Sequence, residues 1–273
     1  MNGWSVLESA AFHTALVTLF VAGGAALMHL ATGRERARLV GTLALLAAFS
    51  MLSVFIFLSW YSSGGLPFGV PSFDLIFLGY VLIGVLVAFD LRFRLPYLRS
   101  AVTPVAVGIF FLSLFAIGKT TVTTQGTEAV LRAHVALILL AMSLYLVAAI
   151  VGSLYLRTWT RLKTRGSPSA TMLAPSPLER LGHAAHIARW LGFAILSLAL
   201  LAGALYSAST GSARSFGKDP LVLSSIVLYA FLAFVNHARQ TGRLSERRSS
   251  QMTLCSCIAL FALFVLIRWG LHD

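Results

Sequence analysis

Long unbroken apolar runs dominate this chain, and polar residues gather in the short gaps between them. Runs of spanning length occur near 9–31, 39–59, 73–91, 101–118, 133–156, 188–208, 220–238 and 250–270. About 20 predominantly apolar residues suffice to cross the hydrocarbon core of a bilayer as a helix. Lipid offers backbone amides no partner, so each crossing must close its hydrogen bonds within itself. The pattern predicts an all-α polytopic membrane protein of eight transmembrane helices, organised as a single domain over residues 1–273. An even number of crossings puts both termini on one side.

The gaps set the direction. Those after the first, third, fifth and seventh runs hold 16 of the 21 lysines and arginines, from Arg34, Arg36 and Arg38 through to Arg247 and Arg248. The opposite side holds Lys119, Arg132, Arg214, Lys218 and Arg268. Cationic loops stay in the cytoplasm, so both termini are expected outside. The longest inner connection, 158–185, contains a Ser-, Pro- and Ala-rich linker at 166–177 and then P-L-E-R-L-G-H-A-A-H-I-A-R-W. This last stretch reads as an interfacial lead-in to the sixth helix. Glu128 to Arg132 reads as a surface turn of helix, Ser72 as a cap of the third helix, and Asp219-Pro220 as the start of the seventh.

Composition agrees. Charged residues make up 11% of the chain, about half the usual share of a soluble protein. The net charge of +12 is spread over short loops, which points to topology and anionic headgroups rather than nucleic acid. Cys255 and Cys257, two apart in the last run, point to different sides of a helix and make poor joint ligands. The segment 1–8 shows no cleavable signal.

No phosphate-binding loop, dinucleotide fingerprint, metalloprotease motif or nucleophile elbow is present. Asp74, Asp90 and Asp219 fall at helix ends, so no midplane proton relay is apparent. Catalysis by the chain is not expected. The histidines carry more information. His134 stands at the outer start of the fifth helix beside Arg132, and His272 at the outer end of the eighth, four residues after Arg268. Imidazole is a standard axial ligand of haem iron, and a porphyrin also needs apolar walls and cations for its propionates. Arg132, Arg268, Arg214 and Lys218 are candidates for the cations, and Trp60, Phe68 and Phe216 for the walls. Against this stands the plainer reading, in which histidines and arginines collect at interfaces and Trp60, Tyr61, Trp159, Trp190, Tyr206 and Trp269 form an aromatic belt. His183 and His186 share a helical face without a third ligand nearby. His13, His29 and His237 read as interfacial or packing residues.

Three stretches resemble a known family. S-W-Y-S-S-G-G-L-P-F-G-V-P-S-F-D-L-I-F-L (59–78), A-H-V-A-L-I-L-L-A-M-S-L-Y-L-V-A-A-I-V-G-S-L-Y-L-R-T-W-T-R-L-K (133–163) and L-E-R-L-G-H-A-A-H-I-A-R-W-L-G-F-A-I-L-S-L-A-L-L-A-G-A-L-Y (178–206) are similar to the cytochrome c assembly proteins of the CcsA and HemX type. N-H-A-R (236–239) and the closing G-L-H (270–272) continue the likeness over most of 50–273. The resemblance implies haem b handled at the outer face of a bacterial cytoplasmic (inner) membrane. His134 and His272 would be its axial ligands, and His237 a histidine involved in haem passage. Apocytochrome c and other membrane assembly subunits would be the partners. Where the family carries a tryptophan-rich loop ending in W-D-P, this chain has A-R-S-F-G-K-D-P, and its second apolar run lacks the histidine members often carry. These departures resemble the short HemX and YpjD-like branch. They leave open a second expectation, a membrane scaffold or regulator of haem metabolism that binds no haem.

Overall fold

The computed structural model describes residues 4–68, 70–93, 95, 98–116, 128–165, 177–210 and 220–269. Among these residues there are eight helices and no strand: α1 (Val6–Thr32), α2 (Glu35–Ser63), α3 (Pro71–Phe93), α4 (Leu98–Phe115), α5 (Glu128–Arg165), α6 (Pro177–Ser209), α7 (Pro220–Gln240) and α8 (Glu246–Trp269). All eight are long and apolar enough to cross a membrane. Large apolar side chains such as Val17, Phe57 and Val227 are more than half exposed, as lipid-facing residues of a multi-pass protein are. The helices fall into two compact units, Met1–Leu139 and Leu140–Asp273.

In the first unit α1 pairs with α2, α3 with α4, and α1 with α4. The start of α1 is tied to the end of α2 through Glu8, which is buried. A capping box joins Ser5 and Glu8. One carboxylate oxygen accepts from the Ser5 amide at 2.6 Å and the other from the Ser62 hydroxyl at 2.8 Å. A buried acid is tolerable there because both oxygens are engaged and the helix N-terminus favours negative charge. Trp4, Phe12 and Phe55 close the same end with edge-on and tilted ring contacts at 5.1–5.5 Å. At the opposite end Gly33 ends α1 with φ 68°, a left-handed cap that suits glycine. Arg99 there binds Asp90 and donates to the Thr42 hydroxyl at 2.6 Å, joining α2, α3 and α4. Between the ends α3 and α4 approach closely. A Cβ at Gly79 would come within 2.4 Å of the Phe110 ring, so only glycine allows this contact.

The second unit packs around Tyr145 of α5. Its ring lies on the backbone of α6 at Gly192, where a Cβ would come within 3.2 Å, and Leu196 and Leu232 complete the cluster. Phe193 stacks on Tyr229 at 5.1 Å. The Ser197 and Tyr229 hydroxyls lie 3.0 Å apart, linking α6 to α7. Gly152 sets α5 against Ser250 of α8.

Several boundaries differ from those expected. α5 begins at Glu128 and runs 38 residues without a break, about 57 Å at 1.5 Å per residue, so the expected surface turn is its first turn. The lead-in from Pro177 is likewise continuous with α6. Neither prefix has an interior proline, Pro177 taking the first helical position, and a helix already nucleated by its apolar span propagates through them, Gly182 included. α3 starts at Pro71, the position that suits proline, which puts Ser72 inside the first turn rather than at its cap. α7 starts at Pro220 as expected. Cys257 is buried and Cys255 exposed, in keeping with their opposite directions.

Candidate functional site

The sequence-derived site divides into a part the structure describes and a part outside it. His134 is half-buried in the second turn of α5. The start of α5 lies at the same end of the first unit as the α2–α3 loop, because the Arg132 guanidinium rests against Gly65. A Cβ on Gly65 would fall 1.9 Å from Nη1. That loop also carries Phe68, whose ring packs edge-on against Phe73 at 5.7 Å and Phe77 at 4.9 Å. An imidazole, a guanidinium and an apolar aromatic wall thus belong to one end of one unit. Asp74, in the first turn of α3, is fully buried near the same loop.

The helix separates what the sequence set side by side. Residues two apart on an α-helix point roughly 200° apart. With α5 helical from Glu128, Arg132 faces the α2–α3 loop and His134 projects from a different side. His237 is exposed in the last turn of α7. Arg214, Lys218, Phe216 and His272 lie outside the described residues, and Arg268 is placed only as a backbone position near the end of α8. Trp60 and Tyr61 are exposed at the end of α2, as belt residues are. His29 is buried, with Nδ1 3.2 Å from the Arg34 carbonyl oxygen, a packing role. Among the described residues no three His, Cys, Asp or Glu gather to hold a metal ion.

Two clefts open at the arginine-rich ends of the units. In the first unit a cleft of about 750 Å³ is lined by His29, Arg36, Arg38, Asp90 and Arg99 among others. Much of its charge is internally paired, Arg38 with Glu35 and Arg99 with Asp90. In the second unit a cleft of about 680 Å³ is lined by Tyr155, His183, His186, Arg239 and Glu246 among others.

The floor of that second cleft holds a cluster that reading by sequence passed over. Glu246, at the start of α8, accepts from Arg239 Nε of α7 at 2.8 Å and from Arg189 Nη2 of α6 at 3.2 Å. The Arg189 side chain is 2% exposed. An arginine buried in a membrane-spanning helix is costly and marks function by default. In the sequence Arg189 reads as one more inner cation. Its signal is that apolar residues surround it and Glu246 is the sole acid among the arginines of 239–248.

No protein-family model matches this chain, and no curated protein matches it either.

Proposed function

We propose that this protein is a haem-handling integral membrane protein of the bacterial cytoplasmic membrane, with both termini outside, acting as an accessory factor in cytochrome c maturation. The half-buried imidazole of His134, at the end of the first unit that also carries Phe68, Phe73 and Phe77, is the observation that carries this reading. An imidazole held partly out of water, at an end of the unit that also offers apolar rings, has the chemistry a haem site needs. The cation bias of the loops supports the orientation.

His134 and His272 hold the haem iron in this reading. Arg268, Arg214 and Lys218 neutralise propionates, and Arg132 holds the α2–α3 loop at the same end of the first unit. Bound haem supplies the redox-active iron and the vinyl groups that a client's cysteines attack. The chain itself orients the porphyrin and keeps water from it. His237, exposed at the arginine-rich end of α7, serves haem on its way to that site. Apocytochrome c and other membrane assembly subunits are the partners.

The test is a set of variants of the detergent-purified full chain, each reconstituted with haem. His134→Ala and His272→Ala are each expected to weaken and shift the Soret band, and the double variant to abolish it. An unchanged spectrum in the double variant would overturn the assignment. A second reading, a scaffold or regulator of haem metabolism without bound haem, draws on the divergence of Arg132 from His134 and on the missing tryptophans before Asp219-Pro220.

A further inference from the structure

Behind the cleft of the second unit lies a concentration of buried polar atoms with hydrogen-bonding capacity to spare. The Tyr145 hydroxyl, Arg189 Nε, Asn236 Nδ2 and the Ser249 and Ser250 hydroxyls are all buried and lack a hydrogen-bond partner. Their residues are at most 5% exposed. Buried polar groups are normally satisfied, so five in one unit call for an explanation.

They belong to one place. Arg189 reaches Glu246 with one nitrogen and Thr253 Oγ1, at 3.5 Å, with another. Glu246, Ser249, Ser250 and Thr253 share one face of α8 by their spacing of three and four, so the guanidinium lies level with the two serines. Tyr145 packs at Gly192, one turn along α6 from Arg189. The groups facing its hydroxyl are Asn236, Arg189 and Tyr229. Asn236 faces that hydroxyl without closing a hydrogen bond of good geometry to it.

The unsatisfied set favours an acceptor as its ligand: Arg189 Nε and Asn236 Nδ2 can only donate, and the three hydroxyls can donate as well as accept. The ion cluster consists of two arginines and one glutamate, a net charge of +1. A compact acceptor carrying one negative charge complements both the donors and the surplus charge. Arg189, Tyr145 and Asn236 do not themselves line the open cleft, but Glu246, which does, binds Arg189 at 3.2 Å, so the cluster adjoins the cleft through that ion pair. The charges paired across the cleft of the first unit leave no comparable surplus of buried donors.

We propose that the Arg189–Tyr145–Asn236 cluster is a binding site for a carboxylate group, reached from the cleft between the arginine-rich ends of α6, α7 and α8. The carboxylate belongs either to a small free acid or to a porphyrin propionate. The site stands apart from iron ligation, and metal-free probes separate the two.

The experiment measures the thermal midpoint of the detergent-purified full chain against three probes: sodium butyrate, metal-free protoporphyrin IX and its dimethyl ester. A concentration-dependent rise with butyrate identifies a free-acid site. A rise with protoporphyrin IX but with neither butyrate nor the ester identifies a propionate site. Tyr145→Phe and Asn236→Leu each remove one polar group of a facing pair that closes no hydrogen bond of good geometry, at similar side-chain volume, so both are expected to fold with a midpoint close to that of the unmodified chain. Each is expected to weaken the responding probe about tenfold, the effect of losing one hydrogen bond to a charged ligand. No response to butyrate or protoporphyrin IX, a response to the ester equal to that of the free acid, or a response that both variants leave unaltered would each overturn the proposal. None of these outcomes bears on the haem spectrum of His134 and His272 variants.

Discussion

Glu246→Ala is expected to destabilise the second unit by about 3–5 kcal/mol, the cost of removing one partner of a buried ion pair. Glu246 is the only anion in contact with Arg189 and Arg239 among the described ion pairs. Without it two cations face each other across the ends of α6 and α7. Arg239 can turn to water, since its side chain is about a third exposed, but Arg189 at 2% cannot. The penalty is therefore the uncompensated buried guanidinium rather than the lost attraction. Denaturant titration of the detergent-solubilised protein measures it. Replacing both members, as Arg189→Met with Glu246→Met, is expected to recover most of the loss, because a buried pair is hardly more stable than apolar residues of similar volume. A double variant as unstable as Glu246→Ala would show that the cluster holds the helices by more than its charge balance.

The second large effect is expected at Phe55. Its ring is fully buried and touches Trp4 and Phe12 at 5.1 and 5.5 Å and Phe73 at 6.4 Å. It thus joins α1, α2 and α3 at the end where the α2–α3 loop and the start of α5 also meet. Phe→Ala in a core costs about 3–5 kcal/mol. Between membrane helices the transfer part of this cost shrinks, because lipid is as apolar as the protein interior. The lost packing and the cavity remain, so about 3 kcal/mol is expected for Phe55→Ala. Phe55→Leu, which keeps most of the volume, is expected to cost less than half as much in the same titration. Equal losses for both would point to the ring contacts with Trp4 and Phe12 rather than to volume.

What could be read before the structure was whatever depends on solvent preference. A run such as 39–59 has one physical solution in lipid, and it became α2. Cys255 and Cys257 diverge as any pair two apart on a helix must. The helix ends were less legible, because average hydropathy does not register that Glu128–Arg132 and the segment after Pro177 propagate a helix already formed. That same extension of α5 turned Arg132 away from His134, although adjacency in sequence had placed them together. The Arg189 cluster was hidden for another reason. Its cation counted toward the topological bias, and its partner Glu246 stands 57 residues away, so the pairing exists only once α6 and α8 have packed.

The most direct measurement is an absorption titration of the purified, unmodified chain with haem, followed by dithionite reduction. Ligation by His134 and His272 predicts saturation at one haem per chain with a low-spin bis-imidazole spectrum in both oxidation states. A titration that never departs from the spectrum of haem in detergent alone would contradict it.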